Sequence, residues 1–103
     1  MDPSALEDKA EQASRLLKSL ANERRLLIIC HLIKGEKSVG ELEQLVGLSQ
    51  SALSQHLARL RKEALVTTRR EAQTIFYSLT SSNAQAVLAT LYELYCADET
   101  SPA

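Results

Sequence analysis

The hydrophobic period of this chain changes twice, which restricts it to a helical body interrupted by one small β element. Up to Ala64 apolar residues recur at steps of three and four. Pro3 and Ser4 can open a first helix whose stripe is Leu6, Ala10, Ala13, Leu17 and Leu20. Asn22 is suited to cap a second helix, about Glu23 to Lys34, with Leu26, Ile29, Cys30 and Ile33 as its apolar face and Gly35 as its stop. Ser38 and Glu41 have the spacing of a capping box, which predicts a short third helix closing near Gly47 with Leu42, Leu45 and Val46 inward. Ser49 caps a fourth, buried along Leu53, Leu57 and Leu60.

From Leu65 the step changes. Leu65 to Arg70 and Thr74 to Leu79 are β-branched and aromatic, and the polar Glu71-Ala72-Gln73 between them reads as the turn of a two-stranded hairpin. Ser81 or Ser82 then caps a last helix with Val87, Leu88, Leu91, Leu94 and Tyr95 on its apolar face up to Cys96, followed by a polar, frayed tail from Ala97 to Ala103. The expected fold is mainly α with five helices and a small β-hairpin, one domain over residues 1–103.

Composition narrows the function. Aromatic residues are 4% and Trp is absent, so the core is aliphatic and a β-sandwich is excluded. A domain of 103 residues buries only about two-thirds of its unfolded surface, so self-association is expected. No apolar run nears the roughly 20 residues needed to span a bilayer, and Asp2 and Glu7 stand where a signal peptide would be basic. The expectation is a cytoplasmic protein with no membrane partner and no cofactor.

The formal net charge of −1 hides a segregation. Between Ser49 and Tyr77 lie Arg59, Arg61, Lys62, Arg69 and Arg70 against only Glu63 and Glu71, a local net charge of +3. A short helix, a turn with Gly47, a polar-faced helix and a basic hairpin are the parts of a winged helix-turn-helix. Ser49, Gln50, Ser51, Ser54 and Gln55 would then meet base edges, since a B-form major groove admits one α-helix and Gln pairs bidentately with adenine. Arg59, Arg69 and Arg70 would hold phosphates, with Gln73 at the tip of the wing. The same residue types are ordinary choices on a solvated amphipathic helix, so spacing alone leaves both readings open. His56 either donates to a phosphate or packs half-buried beside the hairpin.

The runs Ala21-Asn-Glu-Arg-Arg-Leu-Leu-Ile-Ile-Cys, Ser38-Val-Gly-Glu-Leu, Leu48-Ser-Gln-Ser-Ala-Leu-Ser-Gln-His-Leu and Ala72-Gln-Thr-Ile-Phe-Tyr-Ser-Leu together resemble the ArsR/SmtB family of winged-helix regulators. Within it the chain looks most like the branch of the BigR and SqrR sulfide-responsive repressors and the HlyU virulence regulators. The resemblance implies a homodimer built on the first and last helices, bound to double-stranded operator DNA with inverted repeats. It also marks departures. Val39 to Glu43 holds no cysteine where metal sensors of the family carry a Cys-x-Cys-type motif, and the last helix holds no histidine for zinc. Family members often have Gly where this chain has Ala64, a residue that would be strained at positive φ.

Two cysteines remain. A lone Cys on an apolar stripe usually behaves as a small hydrophobe, and that reading holds for Cys30 on its own; Cys96, at a helix end, keeps some exposure. The branch resemblance implies that Cys30 and Cys96 form a reactive pair, closed by a disulfide or a polysulfide bridge when a reactive sulfur species or oxidant arrives. The expected function is a dimeric transcriptional repressor of ArsR type, switched at these two thiols. The alternative is a HlyU-like counter-silencer or activator with cysteines that do not switch; a metal sensor or thiol enzyme ranks below both, for want of ligands, a phosphate loop or a Cys-x-x-Cys.

Overall fold

A computed structural model describes residues 2–96, so the expected frayed tail from Ala97 to Ala103 lies outside the described residues. The order is α1 (Pro3–Leu20), α2 (Glu23–Ile33), β1 (Lys37–Ser38), α3 (Val39–Val46), α4 (Gln50–Lys62), β2 (Val66–Glu71), β3 (Thr74–Leu79) and α5 (Ser82–Tyr95). This is a winged helix-turn-helix with five helices.

Each helix starts where a side chain can absorb orphaned backbone N–H groups. Asn22 Oδ1 accepts from Arg24 and Arg25 at 3.0 and 3.1 Å, and Ser49 and Ser81 accept from the N–H groups of Ala52 and Ala84. At Ser38 the box is reciprocal: its hydroxyl accepts from Glu41 N–H at 3.1 Å while Glu41 Oε1 accepts from Ser38 N–H at 2.9 Å. Three helix ends pass through positive φ, the first at Gly35 after α2, at φ 141°. Gly47 supplies it after α3 at φ 67°, and Ala64 supplies it after α4 at φ 59°. There the N–H groups of Ala64 and Leu65 reach back to the carbonyls of Arg61 and Leu60, both at 3.0 Å, the doubled closure of a Schellman motif. Ala64 makes this closure without the conformational freedom that glycine would bring.

The sheet is antiparallel in the order β1-β3-β2, so the expected hairpin gains a third strand. β1 is two residues long and escapes any periodicity test, because Ser38 both pairs with Phe76 and caps α3. The core is aliphatic as expected: Ile28, Ile29 and Leu32 of α2 meet Leu42 and Val46 of α3, Leu53, Leu57 and Leu60 of α4, Val66, and Ala84 and Leu88 of α5.

Three inward assignments are corrected. In α2 the core face is Ile28, Ile29 and Leu32, while Cys30 and Ile33 are exposed and Leu26 only half-buried. The helix is apolar on two stripes and only one can face its own core. In α3, Leu42 and Val46 lie one turn apart and pack inward, leaving Leu45 47% exposed about 100° away around the helix. In α5 only Ala84 and Leu88 are buried; Leu94 and Tyr95, 68% and 76% exposed, extend beyond the core of a single protomer.

Candidate nucleic-acid interface

The helix-turn-helix is α3, a turn through Gly47 and α4. It is locked from behind by Arg24 of α2, which donates to the Val46 carbonyl at 3.0 Å and so satisfies an end of α3. With Leu53, Leu57 and Leu60 holding α4 to the core, Ser49, Gln50, Ser51, Ser54, Gln55 and Arg59 are all exposed, as a recognition face requires. The structure divides them into rows. Gln50, Ser54 and, two turns further, Arg61 line an open cleft of about 560 Å³ between α4 and the wing, together with Lys62 and with Gln73, Ile75 and Tyr77 of the β2–β3 hairpin. Ser51 and Gln55 form the neighbouring row, outside that cleft lining.

His56 is half-buried, as one of its two expected settings has it, and its polar partner is Arg25 of α2. Arg25 Nη1 faces His56 Nδ1 at 3.4 Å, and since a guanidinium only donates, Nδ1 is the acceptor and the ring is neutral. Burial first, and the charge of Arg25 second, hold the His56 imidazole below its ordinary pKa of 6.5. Arg25 also donates to the carbonyls of Ser19 at 2.6 Å and Lys18 at 3.2 Å, covering the C-terminal end of α1.

The two wing arginines are not equivalent. Arg69 donates to both Glu36 carboxylate oxygens, at 2.9 and 2.8 Å, and to Glu71 at 2.8 Å, while its guanidinium stacks 4.5 Å from the centre of the Phe76 ring. Glu36 accepts a further bond from Ser78 Oγ at 3.3 Å, and the Arg69 hydrogen bond holds its carboxyl below the usual carboxylate range. Glu36, in the link between α2 and β1, has no sequence motif around it and was visible only as one of the scattered acids. Arg70 is exposed, with no ion pair among the described residues, and Gln73 sits exposed in the two-residue turn.

Away from this face, Cys30 lies on α2 and Cys96 is the C-cap of α5, its N–H donating to the Tyr92 carbonyl at 2.7 Å, and these two helices pack against each other. Both thiols are free, Cys30 exposed and Cys96 half-buried. The Cys30 thiol is pushed up from its ordinary value, by desolvation first and then by the charge of Cys96, with Lys34 pulling it down. Among the described residues no group of three His, Cys, Asp or Glu side chains could hold a metal ion, and no helix is long and apolar enough to cross a membrane.

Comparison with known proteins agrees with the fold and extends it. Residues 22–68 match the family described as bacterial regulatory protein, arsR family. The chain is 53% identical over 96 residues to the transcriptional activator HlyU of Vibrio cholerae, covering 93% of this chain and 89% of that one. The solved structure of reduced HlyU from Vibrio cholerae superposes with a TM-score of 0.84 at 54% identity, over 89% of this chain and 97% of that chain. The transcriptional repressor BigR of Xylella fastidiosa superposes with a TM-score of 0.90 at 43% identity, over 94% and 99%.

Proposed function

The chain belongs to the arsR family of bacterial regulatory proteins, DNA-binding transcriptional regulators and not enzymes, and from that premise we propose that it acts in the cytoplasm as a homodimer whose hold on an inverted-repeat operator is switched by Cys30 and Cys96. The observation that carries this reading is that two free thiols 66 residues apart in sequence lie on helices that pack against each other, Cys30 on α2 and Cys96 at the end of α5.

The dimer is supported by what one protomer leaves uncovered. Leu17 of α1 and Tyr92, Leu94 and Tyr95 of α5 are each at least half exposed, a large apolar surface for so small a domain. Pairing through α1 and α5 would bury it and would set two α4 helices on successive major-groove faces, about 34 Å apart. In that dimer the end of α5 is an interface element, so a bond from Cys96 to α2 pulls on the spacing of the two reading heads.

Chemically the switch needs one thiolate and an oxidant. Peroxide takes a thiolate to a sulfenate and leaves as hydroxide; the second thiolate attacks that sulfur, expels hydroxide and closes the S–S bond. With polysulfide, the first thiolate takes a sulfane sulfur as the S–S bond breaks and a shortened polysulfide leaves; the persulfide takes a second sulfur in the same way, and the second thiolate attacks the inner sulfur and expels hydrosulfide, closing a sulfur-extended bridge. Burial pushes the Cys30 thiol up, which disfavours the thiolate that has to react there. A 100-fold loss of operator affinity needs about 2.7 kcal/mol of coupling, within reach of one covalent link. Mass spectrometry of protein treated separately with peroxide and with a polysulfide donor tests the chemistry. An intramolecular link lacking two hydrogen atoms, or carrying added sulfur, is expected, and unmodified thiols in both samples would sink the switch.

A second reading is favoured by the raised Cys30 pKa and by the likeness to an activator: a regulator that displaces another DNA-binding protein, its cysteines inert.

A further inference from the structure

We propose that one sugar-phosphate strand of the operator lies in the cleft between α4 and the wing, held there by Arg61, Lys62 and Arg70, and that Arg69 is a positioning residue that contacts no phosphate. This rests on the reading of α4 as the recognition helix and names the backbone contacts that reading leaves open.

Three observations carry it. A helix in the major groove with a wing beside it must straddle the phosphate ridge that separates major from minor groove, and the space between α4 and the hairpin is an open cleft. The cations of that cleft are Arg61 and Lys62, on the same side of α4 as Gln50 and Ser54, both exposed and neither in an ion pair among the described residues. Strand register supplies the third. Arg70 pairs with Ile75, a cleft residue, and cross-strand partners share a face of the sheet; Arg69 pairs with Phe76 and therefore points to the other face, where Glu36 and Glu71 hold it.

The charge on Arg69 is already matched by two carboxylates. Moving it to a phosphate would break the bidentate bond to Glu36 and uncover the ring of Phe76. What Arg69 does in place is tie β2 to the link that follows α2, fixing the angle of the wing and so the width of the cleft. Arg61 and Lys62 also lie in the last turn of α4, where a cation favours the helix dipole, so the deciding measurement has to count phosphates and not stability.

The salt dependence of binding does so, because each phosphate that is no longer neutralised lowers the slope of log K against log salt by about one. Reduced protein is titrated by fluorescence anisotropy onto a duplex selected by the wild type from a random pool, and onto a mixed-sequence duplex of the same length. Because the dimer carries each substitution twice, Arg61→Gln, Lys62→Gln and Arg70→Gln should each flatten the slope by about two on both duplexes. Arg61→Lys should restore it. Arg69→Gln and Glu36→Gln should weaken binding with the slope unchanged, and the double variant should be no worse than either single one. A flattened slope in Arg69→Gln, with the wild-type slope kept in Arg61→Gln and Lys62→Gln, would overturn the assignment while leaving α4 as the reading head. If the wild type enriches no sequence from the pool, the reading of α4 fails and the assignment with it.

Discussion

Arg25 of α2 touches both the helix expected to pair protomers and the helix expected to read DNA: its guanidinium donates to the Ser19 carbonyl of α1 at 2.6 Å and lies 3.4 Å from Nδ1 of His56 on α4. The contact needs a neutral imidazole, and protonation sets two cations face to face. His56 has its pKa depressed in the folded state, so the unfolded chain binds more protons as pH falls below 6.5, and stability is lost through that window and retained above it. The midpoint of urea unfolding should therefore drop from pH 7 toward pH 5. His56→Gln should remove most of that slope, and an imidazole resonance of His56 titrating above 6.5 would contradict it.

Ala64 occupies a left-handed conformation that costs an L-residue about 1–2 kcal/mol, offset for glycine by roughly 0.5–1 kcal/mol of extra chain entropy. Ala64→Gly should raise stability by up to about 1 kcal/mol, a few degrees in Tm at fixed protein concentration. Ala64→Val should lower it by more than that, since a β-branched side chain fits this region worst. Equal melting of all three would mean the closure after α4 is unstrained.

Sequence periodicity located all five helices because each has a cap and a stripe that agree, as at Ser49 with Leu53, Leu57 and Leu60. It failed where two apolar stripes compete on one helix. Nothing in the spacing of α2 says that Ile28 and Leu32, and not Cys30 and Ile33, face the protomer's own core; that choice belongs to the partner helices. β1 was hidden because two residues have no period, and Ser38 already had a role as a cap. The expected recognition residues of α4 are exposed, yet the separate duties of Arg69 and Arg70 depend on strand register and on Glu36, 33 residues from Arg69. The pairing of Cys30 with Cys96 is implied by the resemblance alone, since no local pattern links them.

The apolar surface of α1 and α5 predicts a dimer at micromolar concentration by sedimentation, twice the 11.4 kDa of the chain. Leu17→Glu with Leu94→Glu should yield monomers that keep their helical circular dichroism, because neither side chain is buried in the protomer. A wild-type monomer would remove the basis for an inverted-repeat operator.

Gln55 lies on the α4 row outside the cleft and is expected to reach base edges. Gln55→Ala should lower the ratio of specific to non-specific affinity by about 1–3 kcal/mol at one or two base positions without altering the salt slope. A uniform loss on every sequence would place Gln55 on the backbone.

Operator affinity before and after oxidation, at one salt concentration, for wild type, Cys30→Ser and Cys96→Ser tests the central claim most directly. Neither cysteine lies on α4 or the wing, so all three reduced proteins should bind alike. Treatment with peroxide or polysulfide should weaken only the wild type, by up to about 100-fold, and dithiothreitol should restore it. Unchanged wild-type affinity with both thiols shown by mass to have reacted would contradict the switch and leave a DNA-binding regulator with inert cysteines.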